Sequence, residues 1–196
     1  MVESGSGAPA EKVQRFRFRV VSPDGRELVS DVAHVVFPAP PFRVTSILVA
    51  ARGKKTGALK GESASEKGKD QFAALSLDYE LRSPRDPATG QTLRRSQHLP
   101  LAIVKEWGAA SPQLFQALVN NEVLESVDID CYGVLEGGKT GLVHKLKLTN
   151  ASVSSIQQRG GGDAGGRNLE TVAFTFQKIE HLSPAGMVLA SDSLAE

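Results

Sequence analysis

The 196-residue sequence predicts a mainly β fold, most simply an antiparallel β-barrel of two sheets with one short α-helix. Apolar and polar residues alternate along several segments that polar turns separate, which is typical of half-buried strands. Val172, Phe174 and Phe176, for example, alternate with smaller or polar neighbours. Only one segment spaces its apolar residues as a helix does. With 40% apolar and 23% charged residues, the composition is that of a globular protein with one core.

Residues 1–43 are predicted to form a disordered leader followed by a hairpin-like N-terminal extension. Residues 1–12 are small and polar and show no periodicity. Phenylalanine and valine alternate with arginine over 15–20, which predicts a strand, and the Pro-Asp-Gly sequence at 23–25 predicts a turn. The apolar segment 32–37 could then return as the partner strand. The prolines that follow it end this strand, because proline cannot donate hydrogen bonds to a ladder.

Residues 44–182 are predicted to form the β-barrel domain, and residues 183–196 are expected to be a C-terminal tail. The polar segment 54–70 contains almost no large apolar side chain, so we expect it to project from the fold as a loop. The strand candidates of this domain are 46–51, 72–81, 99–107, 123–134, 142–156 and 169–182.

The single predicted helix begins at Ser111 and Pro112. Serine is a preferred N-cap because its hydroxyl accepts a hydrogen bond from a free amide of the first turn, and proline suits the first helical position. If the following apolar stripe packs on a sheet, replacing Phe115 by aspartate should bury an unpaired charge and unfold the domain, at a cost of about several kcal/mol. The stripe consists of Leu114, Phe115, Leu118 and Val119.

Charge and hydropathy bear on partners and location. The 23 basic and 22 acidic residues give a net charge of +1, which does not favour nucleic acid or an anionic membrane as a partner. The sequence begins without the basic and apolar regions of a secretory signal peptide, and no apolar run is long enough for a membrane span. We therefore expect a cytoplasmic protein without membrane insertion, and any export must act on the folded chain.

The residue pattern predicts no catalytic, cofactor-binding or metal-ligating residues, and hence no enzyme. Cys131 is the only cysteine, so an internal disulfide is excluded. It could pair with His144 as nucleophile and base, but it lies in a strand pattern, where cysteine is usually a small core residue. The four histidines lie far apart in the sequence, whereas metal ligands usually include pairs at short spacing, so no metal site is predicted. They are His34, His98, His144 and His181.

Two glycine-containing segments and one group of basic residues are better explained as loops or contacts than as binding motifs. The glycines at 160–162 and 165–166 lack the order and the following helix of a phosphate loop, so they predict a flexible hairpin loop. Residues 53–56 match only the end of a nucleotide-binding motif. The basic side chains between 54 and 60 have no aromatic residues among them that could stack on bases, so they do not favour a nucleic-acid site. A solvated loop or a subunit contact is the better explanation for the basic group as a whole. The group consists of Arg52, Lys54, Lys55 and Lys60, with Arg15, Arg17 and Arg19.

Eight short stretches between residues 47 and 180 are each weak signals but are specific as an ordered set. They lie at 60–63, 81–91, 94–100, 105–107, 110–118, 121–124, 148–151 and 172–180. In this order they resemble the haemolysin-coregulated protein (Hcp) family of type VI secretion systems. The resemblance covers about three-quarters of the chain.

The resemblance implies a fold like that of phage tail tubes and a function in assembly. Subunits of such a protein join edge to edge in a homo-hexameric ring, and rings stack into a hollow tube that is expelled with its cargo. The implied partners are further copies of the chain, the sheath and spike proteins of the apparatus, and small effector proteins in the lumen. A closed ring also pairs strand edges that would otherwise be open to aggregation. Residues 54–70 fall where family members extend a loop toward a neighbouring subunit or ring.

The N-terminal stretch departs from the family pattern, because family members usually begin near residue 46. This extension predicts that ring formation is more robust than indefinite stacking of rings. Two alternatives remain open. One is a ligand- or carbohydrate-binding β-barrel module, suggested by the glycine-rich segment 160–166. The other is an Hcp-like secreted effector with hydrolase activity, for which Cys131 and His144 are the candidate residues.

Overall fold

A computed structural model describes residues 12–16, 19–21, 27–29, 33–37, 43–62, 70–86, 88–89, 91, 96–135, 138–161 and 166–194. Within these residues it contains sixteen strands and one helix, which confirms the prediction of a mainly β fold. The chain divides into two compact units, Met1–Arg43 and Val44–Glu196.

The first unit contains four short strands in two antiparallel pairs. The first and fourth strands pair, and the second and third pair inside them, as in a single hairpin. Of the alternating segment 15–20, residues 15–16 lie in the first strand and 19–20 in the second, and residues 17–18 lie outside the described part of the chain. The first strand begins at Lys12, whereas residues 1–11 lie outside the described part of the chain. The strands are β1 (Lys12–Phe16), β2 (Arg19–Val21), β3 (Glu27–Val29) and β4 (Ala33–Phe37).

From Arg43 onward, the described residues contain one helix and twelve strands. The helix is α1 (Ala110–Val119). The strands are β5 (Arg43–Gly53), β6 (Gly57–Ala58), β7 (Phe72–Ala74), β8 (Ser76–Asp78), β9 (Leu81–Arg82), β10 (Gln97–His98), β11 (Leu101–Glu106), β12 (Leu124–Val134), β13 (Thr140–Arg159), β14 (Leu169–Thr175), β15 (Lys178–Leu182) and β16 (Val188–Ser193).

A ten-stranded sheet forms most of the second unit. Its main path runs β6-β5-β12-β13-β14-β11-β8, with β15 beside β13, β16 beside β15, and β7 beside β5. The strands β7 and β8 are consecutive parts of the chain, separated by Leu75 alone. Because β7 pairs with β5 and β8 pairs with β11, the stretch 72–78 pairs with strands near both ends of the path. The strands β9 and β10 form a separate antiparallel pair.

The twenty-residue strand β13 is the centre of this sheet. Its first part pairs with β12 on one side and β15 on the other, and its second part pairs with β14. A register shift between Val153 and Ser155 accompanies the change of partners, as a β-bulge does. The strand extends beyond the predicted segment 142–156 because the polar residues 157–159, which lack alternation, also pair with β14.

The core consists of apolar side chains contributed by most strands and by the helix. Cys131 is buried among them, as its strand pattern predicts. Burial, and then the neighbouring Asp130, raise the pKa of the Cys131 thiol, so the thiol stays protonated at neutral pH. The large apolar side chains that are entirely or almost entirely buried include Val49, Leu59, Phe72, Leu101, Ile103, Leu114, Leu124, Val127, Ile129, Leu148, Val172, Phe174 and Ile179.

The helix α1 begins and faces differently from the prediction. Its N-cap is Ala109, which makes no side-chain capping bond, and Ser111 lies inside the first turn. Phe115 and Val119 are 54% and 57% exposed, so the expectation that Phe115→Asp buries a charge is wrong. The packed face of the helix carries Ala110 and Ala117, seven positions apart, with Leu114 between them. The small alanines let the helix approach the sheet closely. The buried residues are Ala110, Ser111, Leu114 and Ala117.

The segment 54–70 was expected to project, but its first part is docked on the fold. The backbone amide of Leu59 donates to the carbonyl of Ala51 at 2.9 Å, and the Leu59 side chain is buried. Gln113 of α1 both accepts a hydrogen bond from the Lys60 amide and donates one to the Lys60 carbonyl, each at 2.9 Å. Residues 63–69 lie outside the described part of the chain.

The C-terminal segments also differ from the prediction. The expected single strand 169–182 is two strands, because the chain leaves the ladder at Phe176 and Gln177 before β15 begins. The expected tail 183–196 contains β16, which follows a tight turn and pairs along β15. This turn requires Gly186, whose φ of 84° is favourable only for glycine. Among the described residues, no helix is long and apolar enough to cross a membrane.

Candidate functional site

A buried cluster that contains two oppositely charged side chains lies under the first turn of α1. Lys105 at 0% and Glu170 at 1% exposure form an ion pair, with Lys105 Nζ 3.1 Å from Glu170 Oε1. The Ser111 hydroxyl donates to the same carboxylate oxygen at 2.7 Å and accepts a hydrogen bond from Lys105 Nζ at 3.2 Å. The role of Ser111 is therefore to join the helix to this ion pair rather than to cap the helix.

Other groups satisfy the remaining hydrogen-bonding capacity of the pair. Lys105 Nζ donates to the Glu106 carbonyl at 2.6 Å and lies 5.6 Å from the centre of the Phe72 ring. Gln158 donates its side-chain amide to the second oxygen of Glu170 at 3.1 Å. Glu62 Oε1 lies 3.6 Å from Lys105 Nζ. Because the charges are enclosed and paired, the arrangement suits fixation of the helix and leaves no open position for a substrate.

A second polar cluster connects β16 to the middle of the chain. His98 Nε2 lies 2.9 Å from Asp192 Oδ2, and His98 Nδ1 lies 2.5 Å from the Tyr79 hydroxyl. A carboxylate only accepts, so Nε2 donates to Asp192, and in the neutral ring Nδ1 accepts from Tyr79. Burial, and then Asp192, raise the pKa of Tyr79, which keeps its hydroxyl a donor. Phe176 packs against both the Tyr79 and the His98 rings, so the cluster holds β16, through Asp192, against β10.

The turn between β5 and β6 is closed by a single buried carboxylate. Glu122 Oε1 accepts hydrogen bonds from the backbone amides of Lys55 and Thr56, both at 2.9 Å, and from the Thr56 hydroxyl at 3.0 Å. The bond from the Thr56 amide is the largest cause that lowers the pKa of Glu122, and the bond from Lys55 adds to it. This contact fixes the start of the segment that the resemblance places near a neighbouring subunit.

We expect Glu122→Gln to reduce the free energy of unfolding by about 1–2 kcal/mol at pH 7, because the amide accepts these bonds more weakly. The lowered pKa means that the contribution of the ionised Glu122 is present above its unfolded pKa, about 4.3, and is lost as the pH falls through the folded pKa. Urea unfolding of both proteins at pH 7 and pH 3.5 measures this difference. An equal difference at both pH values would contradict the assignment.

The structure places the candidate nucleophile and base on two paired strands. Cys131 and His144 lie opposite each other on β12 and β13, but the thiol is buried and its pKa is raised. His144 instead contacts His181, with 3.2 Å between His144 Nε2 and His181 Nδ1. These histidines are 37 positions apart in sequence and meet only because β13 and β15 pair. Sequence spacing could therefore not reveal them.

The basic and glycine-rich segments show no assembled binding motif in the described residues. Arg52 forms an exposed ion pair with Glu125, at 3.3 Å between Nε and Oε2. Gly161 has a φ of 104°, as a loop glycine does, but residues 162–165 lie outside the described part of the chain. The structure does not describe the side chains of Arg15, Arg17 and Arg19.

Two exposed apolar surfaces are the remaining candidates for function. An open groove of about 480 Å³ lies beside α1, with Trp107 and Phe115 among its lining residues. The second surface is the edge strand β16, every residue of which is exposed or half-buried. Leu189 on this strand is 62% exposed, and Met187, which directly precedes the strand, is 66% exposed. Large exposed apolar side chains close together are typical of contact surfaces between proteins.

The chain is similar in sequence to proteins of one secretion system. A protein-family model described as "Type VI secretion system effector, Hcp" matches residues 53–181. A relative, the "Major exported protein" of Pseudomonas aeruginosa, is 32% identical over 124 residues, which cover 61% of this chain and 72% of the relative.

Solved structures share the fold at lower sequence identity. A crystal structure of an Hcp protein matches with a TM-score of 0.69 at 19% identity and covers 76% of this chain and 99% of that chain. The secreted protein Hcp3 from Pseudomonas aeruginosa matches with a TM-score of 0.63 at 24% identity, over 77% of this chain and 99% of that chain. At these identities the likeness shows the fold alone.

Proposed function

The chain belongs to the type VI secretion system Hcp family and is a secreted tube protein of that system, and from this premise we propose that it assembles into hexameric rings. A ring of identical subunits requires a heterologous contact, in which two different surfaces of the same chain meet. The rings stack into a hollow tube that is expelled by the secretion apparatus.

The open edge of β16 is the observation that most directly supports assembly. This strand pairs with β15 on one side and with no described strand on the other. Its first residues, Val188 and Leu189, are apolar and exposed, and the strand carries no lysine or proline of the kind that protects solitary edges. A neighbouring subunit that pairs with this edge would bury the exposed apolar side chains and extend the ladder.

The proposed assembly into a tube implies three kinds of partner. Further copies of the chain form the ring and the stack, the sheath and spike proteins of the apparatus surround and end the tube, and small effector proteins occupy its lumen. We place synthesis in the cytoplasm and export through the apparatus without a signal peptide, and we assign no enzymatic activity to the chain. The N-terminal extension of residues 1–43 precedes the family match, and we propose that it limits stacking more than ring formation.

Replacing Leu189 by lysine should weaken ring formation at least tenfold in subunit concentration, because a charge on an edge strand opposes pairing with another chain. Native mass spectrometry across a concentration series measures the ring, and negative-stain electron microscopy shows its central hole. Leu189→Ile is the matched control, since it keeps an apolar side chain suited to a strand, and it should assemble like the unmodified protein.

Two outcomes would count against this proposal. A chain that stays monomeric at high concentration would contradict assembly and would favour the ligand-binding module. Rings that form equally well in the Leu189→Lys protein would contradict the role of β16 while leaving the ring itself intact.

A further inference from the structure

A pair of histidines lies on one face of the sheet, at neighbouring positions of two paired strands. His181 on β15 is opposite Leu146 on β13, and His144 is two residues from Leu146 on the same face. The two histidines are therefore diagonal neighbours, which long or aromatic side chains can bridge. Their ring centres are 5.3 Å apart, and His144 Nε2 lies 3.2 Å from His181 Nδ1.

Without a metal ion the two nitrogens share a hydrogen bond, in which one ring donates its N–H to the other. If the donor ring changes to its other tautomer, both nitrogens have a free lone pair, and their separation then fits two ligands of one metal ion. Zinc binds histidine nitrogen at about 2.0–2.1 Å, and two such bonds spanning this gap would meet at an angle of about 100°, close to tetrahedral. Burial, and then the neighbouring His144, lower the pKa of His181, so its imidazole is neutral at physiological pH. A neutral imidazole is the form that ligates a metal.

The surroundings leave access to the pair. Both histidines are half-buried rather than enclosed, and the residue opposite His181 on β16 is the small Ala190. Cys131 lies opposite His144 on β12, but its side chain is buried. Among the described residues, no group of three or more ligating side chains is placed to hold a metal ion. Water molecules must therefore complete the coordination shell.

We propose that His144 and His181 form a binding site for a divalent transition-metal ion of the zinc class, with water as the other ligands. Imidazole pairs suit Zn²⁺, Ni²⁺ and Cu²⁺, and of these Cu²⁺ binds a given nitrogen site most tightly. The site stands on contacts within one subunit and does not depend on the proposed ring. Ion binding would tie β13 to β15 and so stabilise the part of the sheet to which β16 is attached.

The test uses the full chain, purified without a polyhistidine tag and stripped of metal with a chelator. Titration with ZnCl₂ alone, followed by calorimetry, should show binding of one equivalent per chain that His144→Gln or His181→Gln weakens at least tenfold. Thermal unfolding should shift upward with ZnCl₂ in the unmodified protein and much less in the variants, because ligands stabilise the state that binds them.

His98→Gln is the control, because it removes a histidine of the separate β9–β10 pair, whose ring contacts Tyr79, Phe176 and Asp192, and it should leave the zinc affinity unchanged. Circular dichroism identifies any variant that fails to fold, and histidine ring signals in proton NMR of the unmodified protein then provide an independent measurement. Zinc should perturb the signals of His144 and His181 first. The proposal is overturned if the double variant of these two residues binds zinc as tightly as the unmodified protein, or if zinc leaves both ring signals unchanged.

Discussion

Replacing Glu170 by leucine is expected to lower the free energy of unfolding by about 3–5 kcal/mol, because it removes the nearer and fully buried counter-charge of the Lys105 ammonium and leaves only the half-exposed Glu62 at 3.6 Å. Ser111 would also lose the carboxylate to which its hydroxyl donates. Since this cluster lies under the first turn of α1, the loss should loosen the helix as well. Urea unfolding monitored by circular dichroism and by Trp107 fluorescence measures both effects.

The matched control for this experiment is the double variant Lys105→Met with Glu170→Leu. Replacement of both partners of a buried ion pair by apolar residues of similar volume is often neutral or stabilising, so the double variant should recover most of the lost stability. If the single Glu170→Leu variant were as stable as the unmodified protein, Lys105 would not be held by this carboxylate. If the double variant were no more stable than the single one, the loss would come from packing rather than from an unpaired charge.

Replacing Leu114 by aspartate is expected to cost about 4 kcal/mol or more, enough to unfold a marginally stable domain. Leu114 is entirely buried on the face of α1 that packs against the sheet, so the substitution removes apolar contacts and buries an unpaired charge. Thermal unfolding and the near-ultraviolet circular dichroism signal measure the loss of packing.

Phe115→Asp is the control at the next position of the same helix. Because Phe115 is exposed within the subunit, this change should alter the stability of the monomer by no more than about 0.5 kcal/mol. The comparison is made at concentrations at which both variants are monomeric. Equal destabilisation by the two substitutions would show that the helix is rotated relative to the arrangement described above.

The β framework was predictable because its signal is local. Alternation such as that of Val172, Phe174 and Phe176 depends on neighbours two positions apart, and all three side chains are buried, with Phe176 directly after the end of β14. The order of short motifs was likewise readable from residue 47 to 180, and the family match confirms it over residues 53–181. The fold class therefore required no knowledge of which strands pair.

The errors concern residues whose behaviour depends on distant partners. Ser111 fits an N-cap pattern, yet Glu170, which is 59 positions away, determines where its hydroxyl donates. Phe115 and Leu114 both fit a helical stripe, and only the packing of Ala110 and Ala117 on the sheet decides between them. In each case local propensity left alternatives, and tertiary contacts selected one.

The polar clusters could not be predicted for the same reason. Lys105 with Glu170, and His144 with His181, are separated by 65 and 37 positions and meet through strand pairings whose register the sequence does not display. The β16 strand was missed because four of its six residues are serine, alanine or aspartate, which have low strand propensity. Pairing with β15 and the contact of Asp192 with His98 hold it in place.

The central strand β13 also determines how the entropy of loop closure is distributed along the chain. Its partners β12 and β14 directly precede and follow it, through short connections at 135–139 and 160–168, whereas β5 joins β12 only across all the segments from β6 to α1. The cost of closing a loop grows with the logarithm of its length, so forming the three-stranded meander around β13 costs less loop entropy than attaching β5 to β12. The rate at which the whole domain folds is then governed by the later, more distant attachment of β5 and β7 to this meander.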